Sequence, residues 1–367
     1  MSRYDTDMLP PGLRHQLAQL YPDYEIVAAW ELAPDSGASR QATQKAAGYG
    51  RPVHIALRGG HGETLELVWR VATANVFGHD RRADRAGNML LAYDDFSRIP
   101  DHVQALDVGA INSDGSLSSL RGSGELYLIT SYARGAIYAD DLREVARTGK
   151  ATAKDLGRVQ VLAHYLAKLH TPLADPPRYR RAIRDLIGHG EGIYGIVDAY
   201  GEEVPSAAPP RLAELERACA QWRWDLRGKA SRLCRTHGDF HPFNVVFDDG
   251  THFTTLDASR GTCGDPADDL TAMAVNFLLF GMESRASWRT GLGMLWHAFW
   301  NEYFAARPDP ELLACVPPYW TWRTLVVCNP VFYPELSAQG RDRLLGLAER
   351  ALSARRLDLA WADELFR

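Results

Sequence analysis

The sequence has little of what marks a specialised chain. Cysteine is scarce, 5 in 367 residues. Cys219, Cys234, Cys263, Cys315 and Cys328 show no C-x-x-C spacing, and their odd number argues against a complete disulfide framework, so a reducing, cytoplasmic setting is expected. No apolar run approaches the ~20 residues that cross a bilayer. The longest, Ala272 to Phe280, is broken by Asn276 and reads as a buried helix. Met1 to Leu20 mixes Arg3, Asp5, Asp7, Arg14 and His15 with two prolines and lacks an apolar core, so no secretory signal is expected. A formal net charge of -5 gives no electrostatic reason to bind nucleic acid or an anionic membrane. Internal repeats and low-complexity tracts are absent, and neither Ser36-Gly37-Ala38-Ser39 nor Gly59-Gly60-His61-Gly62 matches G-x-G-x-x-G.

What remains is an ordinary globular composition, 46% hydrophobic and 24% charged, in a chain long enough for two lobes. From Tyr24 to about Thr130 the pattern predicts short strands at Glu25 to Leu32, Val53 to Leu57, Thr64 to Val71, Ala105 to Ile111 and Glu125 to Ile129. One helix, about Asp80 to Asp95, interrupts them. After Ser131-Tyr132-Ala133-Arg134-Gly135 the period becomes helical. Leu156, Val159, Leu162, Ala163, Leu166 and Leu169 form one apolar stripe, and further helices are expected at Arg211 to Asp225, Asp268 to Phe280, Ser287 to Phe304 and Arg341 to Arg355. The fold class expected is α+β, with a β-rich part at 1–132 and a larger helical part at 133–367. Gly201 to Pro210 reads as an exposed loop.

The chemistry concentrates between residues 237 and 257. Val245 to Phe247 and Phe253 to Leu256 flank an Asp248-Asp249-Gly250 turn signal, which predicts a hairpin. If it closes symmetrically around residues 250 and 251, Asn244 and Asp257 become cross-strand neighbours at its open end, roughly 5 Å apart. An amide oxygen and a carboxylate suit Mg²⁺, which takes few protein ligands and completes its shell with water and phosphate oxygens. Asp239, five residues before Asn244, is placed to face a substrate hydroxyl and accept its proton. Phosphoryl transfer is mainly positioning plus neutralisation of charge, and these three side chains meet that need.

The run His237-Gly238-Asp239-Phe240-His241-Pro242-Phe243-Asn244 resembles the H-G-D-x-H-x-x-N catalytic loop of aminoglycoside phosphotransferases and their choline-kinase relatives. Gly264-Asp265-Pro266-Ala267-Asp268-Asp269-Leu270 resembles the G-D-P-x-x-D-L run that follows the metal-binding aspartate there. The resemblance covers residues 232–272 and is faint elsewhere. It implies a protein-kinase-like bilobal fold, with Asp239 as catalytic base, Asn244 and Asp257 as magnesium ligands, and ATP or GTP as phosphoryl donor. Arg70 stands where kinases carry a strand lysine on the α- and β-phosphates, with Asp84 or Asp80 as its partner, or else it is a surface arginine at a strand end. Ser131 to Ala133 resembles a hinge whose main chain would bind the nucleotide base.

Several features have plainer readings. Ser36-Gly37-Ala38-Ser39 and Gly59-Gly60-His61-Gly62 are each a candidate phosphate loop or a simple turn. His237, Asp239 and His241 lack the further Cys or His of a zinc site, and the two histidines are expected to brace the loop. Asp265 is expected to support the catalytic loop, whereas Asp268 and Asp269 are explained by the dipole of the helix they open. Trp296, Trp300, Tyr319, Trp320, Trp322 and Tyr333 could stack on a sugar or cage an ammonium group, but core packing explains them as well. His170 reads as structural. The acceptor expected is a small-molecule hydroxyl, antibiotic or sugar first and choline or another amino alcohol second, in a monomer or homodimer without nucleic-acid or membrane partners. Asp257-Ala258-Ser259 in place of D-F-G, with Arg70, leaves a catalytically degenerate nucleotide-binding scaffold as the alternative.

Overall fold

The computed structural model describes residues 6–32, 50, 52–258, 260–283 and 288–367. The Ser36 to Ser39 candidate loop lies outside them. The fold mixes helix and strand, with a small antiparallel sheet in the N-terminal region and a mostly helical C-terminal part. The chain forms two compact units, Met1–Ile129 and Thr130–Arg367.

In the first unit helix α1 (Pro11–Leu20) starts on a proline, whose fixed φ suits the first helical position. Strands β1 (Tyr24–Glu31), β2 (Val53–Gly59) and β3 (Thr64–Trp69) follow as an antiparallel sheet with β2 central. Val53, Ile55 and Leu57 alternate along β2 and meet Leu13 and Leu17 of α1 in a small core. The Gly59–Gly62 candidate is the β2–β3 turn, closed by Gly59 N–H to Glu63 O at 2.8 Å, with Gly62 at φ 88°. Helix α2 (Arg82–Asp95) begins where Asp84 caps the Arg81 N–H.

Two expectations fail in this unit. The strand expected from Ala105 shortens to β4 (Gly109–Ile111), paired with β5 (Leu117–Ser119). Glu125 to Ile129 forms no strand, and Leu126, Tyr127, Leu128 and Ile129 are exposed. Among the described residues no neighbour offers it a ladder, and an apolar run becomes a strand only when its N–H and C=O groups are paired.

The second unit opens with β6 (Ala136–Ile137), α3 (Tyr138–Thr148), α4 (Ala153–Leu169), α5 (Pro176–Gly188), α6 (Ile193–Asp198) and α7 (Pro209–Leu226). Then come β7 (Cys234–Arg235), β8 (Val245–Phe247), β9 (Phe253–Thr255) and β10 (Cys263–Gly264). Helices α8 (Pro266–Glu283), α9 (Gly293–Ala306), α10 (Leu312–Cys315), α11 (Pro317–Cys328), α12 (Ala338–Ala354) and α13 (Trp361–Glu364) complete it, with a π-turn at Trp288–Leu292 before α9. None of the described helices is long and apolar enough to cross a membrane. The stripe of α4 is buried as its spacing predicts, and Trp296, Trp300 and Trp320 lie fully inside the same core. Those three tryptophans are therefore packing residues.

Strands β6, β8 and β9 form a sheet in that order, and β7 pairs with β10. Arg158 of α4 secures the hairpin tip by donating to Gly250 O at 2.9 Å and Asp248 O at 2.6 Å, while it pairs with Asp141. Gly135, just before β6, has φ 136°, and a Cβ there would lie 2.0 Å from Phe247 O. Gly135→Ala is expected to cost about 1–3 kcal/mol from backbone strain alone, measured by chemical denaturation. An unchanged midpoint would mean that β6 does not need this close approach.

Candidate active site

The site grows from the β7–β10 pair. Cys234 faces Gly264 and Arg235 faces Cys263, and Thr236 N–H extends the ladder to Thr262 O at 3.1 Å. Where β7 ends, the 237–244 loop lies beside the start of α8. Gly238 takes φ 86°, and a Cβ there would lie 2.7 Å from Gly261 O. This left-handed turn suits glycine and lets two successive N–H groups point one way. His237 N–H and Gly238 N–H both donate to the Asp269 carboxylate, at 2.7 and 2.8 Å. Behind it, fully buried His170 reaches Asp269 at 3.2 Å through Nε2 and Tyr303 at 2.8 Å through Nδ1.

This clamp corrects the sequence reading of α8. Asp269 holds the loop, whereas Asp265 binds the Arg232 guanidinium at 2.7 and 2.9 Å and accepts from Tyr179. For Asp269, burial is outweighed by the hydrogen bonds from His170 and the two main-chain N–H groups, and the carboxyl lies below its ordinary range. Burial pushes the adjacent Asp268 up to about 6 despite the charge of Arg323, with the Asp269 charge adding to the rise. The helix dipole is thus only part of the reason for these two residues.

Asp239 is largely buried, with 13% of its side chain exposed. Its Oδ1 accepts from Arg323 Nη1 at 2.6 Å, and Arg260 Nη2 stands 3.9 Å away. His241 Nε2 lies 3.5 Å from Oδ2, while its Nδ1 accepts the Phe243 N–H and so begins the short helix Pro242–Asn244. His237 Nδ1 accepts the Asp239 N–H at 3.3 Å. Both histidines brace the loop. Burial alone would raise the Asp239 pKa, but His241, Arg323 and Arg260 outweigh it and hold the carboxyl well below the usual range. Half-buried Tyr333 lies with its ring centre 6.5 Å from that of Phe243, and burial, with the Asp239 charge adding, pushes its phenol up.

The hairpin closes one residue away from the expected register. Val245 faces Thr255 and Phe247 faces Phe253, so Asn244 is opposite Leu256, whose N–H donates to Asn244 O at 2.8 Å. The cause is a three-residue loop, Asp249 to Thr251, closed by Asp248 N–H to His252 O and by Gly250 N–H to Asp248 Oδ1. Asp257 comes one residue later and turns with φ 42°. Asn244 Nδ2 donates to Asp239 O at 3.1 Å, which commits its amide nitrogen and leaves Oδ1 as its hard donor. Among the described residues no three His, Cys, Asp or Glu side chains converge to hold a metal. A cation here would rest on one amide oxygen and one carboxylate, a donor set that fits Mg²⁺ carried by phosphate groups.

The other expected residues lie outside the 237–257 segment. Arg70 follows β3 in the first unit, its guanidinium 5.8 Å from the Phe96 ring centre. The carboxylate of Asp84, its expected partner, caps its own helix. Ser131 and Ala133 lie in an irregular stretch at the start of the second unit, Ser131 exposed and Ala133 half-buried.

Sequence reasoning missed Arg323, Arg260 and Glu191, and read Trp322 only as an acceptor-stacking or packing residue. Arg260 and Arg323 lie over the Trp322 ring at 4.5 and 3.8 Å, and Trp322 donates to Glu191 O at 2.9 Å. A charged residue after Trp320-Thr321-Trp322 in an apolar helix was the available signal.

Residues 79–308, well over half of the chain, match the model of the phosphotransferase enzyme family. No curated protein matches. Similar solved structures include choline kinase LicA of Streptococcus pneumoniae, at 12% identity over 93% of this chain and 98% of that one, with a TM-score of 0.35. A glucosamine kinase matches at 15% over 93% and 83%, with a TM-score of 0.41. A thermostable mutant of aminoglycoside phosphotransferase APH(4)-Ia matches at 14% over 93% and 98%, with a TM-score of 0.37. At these TM-scores the structural likenesses carry no weight of their own.

Proposed function

Since the chain belongs to the phosphotransferase enzyme family, we propose that it is a small-molecule kinase that moves the γ-phosphoryl group of ATP or GTP to a substrate hydroxyl. One observation carries this reading. Asp239 is held ionised on a loop where Asn244, five residues on, is fixed through its amide nitrogen with its amide oxygen free, and Asp257 follows one residue after Leu256, the residue opposite Asn244.

Asp239 is the acceptor-facing carboxylate. A carboxylate held so far below neutrality is a weak base, but in a loose transition state the acceptor proton leaves late, so orienting the hydroxyl matters more than removing its proton early. Asn244 and Asp257 would hold Mg²⁺, which when bound neutralises the phosphate oxygens and shapes the transferred group. Residues 1–132 would serve as the nucleotide lobe, with Arg70 on the phosphates and the main chain of Ser131 and Ala133 on the base. Residues 133–367 would carry the catalytic loop and the acceptor site.

Among acceptors, a sugar or antibiotic hydroxyl ranks above an amino alcohol. An aromatic cage for a quaternary ammonium needs open ring faces. Trp322 already carries two guanidinium groups, and Trp296, Trp300 and Trp320 are sealed in the core.

The test is Mg²⁺-dependent γ-phosphate transfer from ATP and GTP to a panel of aminoglycosides, other hydroxylated antibiotics, sugars and amino alcohols. A phosphorylated product from wild type is expected, and absence of nucleotide binding would overturn the reading. Asp257→Ala is expected to weaken Mg²⁺–nucleotide binding by about 10-fold or more, the usual scale for losing one charged ligand interaction. An unchanged magnesium dependence would remove Asp257 from the site.

A further inference from the structure

We infer that Arg323, on α11 and beyond the matched family segment, is a positioning residue that fixes which oxygen of Asp239 meets the acceptor. The inference rests on the kinase reading and extends it to a part of the chain that neither catalytic motif reaches.

Arg323 is 5% exposed in its side chain and spends its two terminal nitrogens on three partners. Nη1 donates to Asp239 Oδ1 at 2.6 Å, and Nη2 donates to Gly238 O at 3.0 Å and Asp268 Oδ1 at 2.7 Å. The guanidinium plane also rests 3.8 Å from the centre of the Trp322 ring. A planar fork held by a carboxylate, a carbonyl and an aromatic face has one orientation, which a lysine ammonium cannot reproduce. Asp239 is therefore anchored through Oδ1, and Oδ2 is left to His241 and the acceptor hydroxyl. Asp268 balances the buried charge: Arg323 and Arg260 face Asp239 and Asp268, with Glu191 at 3.6 Å from Arg260 as the more exposed fifth member. Trapping a nucleophile-orienting group in one geometry is the contribution that remote residues make to phosphoryl transfer, and a displacement of about 1 Å costs about 10²-fold in rate.

The experiment uses the pair variant Arg323→Gln/Asp268→Asn. It removes one buried charge of each sign, whereas Arg323→Gln alone would strand Asp268. Its thermal midpoint establishes that it folds. Two readouts are taken on full-length protein, the ¹³C titration of the Asp239 carboxyl, assigned by its loss in Asp239→Asn, and steady-state kinetics with any acceptor the panel identifies. In wild type the Asp239 signal is expected to remain ionised at pH 4, where an ordinary aspartate is about half protonated. In the pair variant its titration moves up toward that ordinary range, kcat falls about 10²-fold, and the nucleotide KM is unchanged. Arg323→Lys, which keeps the charge but loses the fork, is expected to fall between the two in kcat. A titration identical to wild type, or an unchanged kcat, overturns the inference. If wild type binds no nucleotide, the kinase reading fails, and the anchoring of Asp239 is then decided by the titration alone.

Discussion

Asp239→Asn lowers kcat by about 10²-fold or more while the affinity for Mg²⁺–nucleotide and the thermal midpoint stay near those of wild type. The substitution keeps shape and leaves an amide oxygen for Arg323, which retains Asp268 as its counter-charge, so the core of the site survives. What disappears is the anionic acceptor of the substrate proton. The loss is expected in kcat because the interaction matters only when the hydroxyl attacks, and a rise in KM alone would point to ground-state binding instead. Because His241, Arg323 and Arg260 hold the wild-type carboxyl well below the usual range against the effect of burial, Asp239 contributes no acid limb to the rate profile near neutrality. A variant that turns over at the wild-type rate would remove Asp239 from the chemistry and sink this mechanism.

The chain announces some of this and hides the rest for identifiable reasons. Val245 to Phe247 and Phe253 to Thr255 are visible as strands because apolar residues flank an Asp-Asp-Gly turn. Their register is not visible, because a loop of odd length shifts every partner by one and only the folded turn decides it. Helix α4 is legible from its stripe. Helix α11 is not, since its aromatic and β-branched residues are buried nearly all round and leave no amphipathic period. Arg323 shares that concealment. Its significance comes from Asp239 and Asp268, 84 and 55 residues away, and no spacing rule reaches so far. Asp269 is half-hidden: a carboxylate in the first turn of a helix has a local explanation, and that explanation masks the loop it clamps.

The clamp makes the second large effect one on stability as well as on activity. In Asp269→Ala two buried N–H groups, His237 and Gly238, and the buried ring of His170 lose their acceptor together. Each stranded donor costs about 1–3 kcal/mol, and breaking a buried charged network typically costs about 3–5 kcal/mol, so the expected loss by urea denaturation is of that order. Asp269→Asn should be intermediate, since its amide retains one accepting oxygen and turns an NH₂ toward a donor. The sign with pH follows from the depressed folded-state pKa. The contribution is present above the unfolded carboxylate range of about 4 and is lost as pH falls through the lower folded value, so the gap between wild type and the alanine variant narrows in acid. Kinetics complete the comparison. Asp239→Asn loses turnover with its fold intact, whereas Asp269→Ala loses both, because a loop without its clamp cannot hold Asp239 and Asn244 in one frame. If Asp269→Ala unfolds at the wild-type urea concentration, the α8 carboxylate does not carry the loop, and the rigidity of Asp239 must come from Arg323 alone.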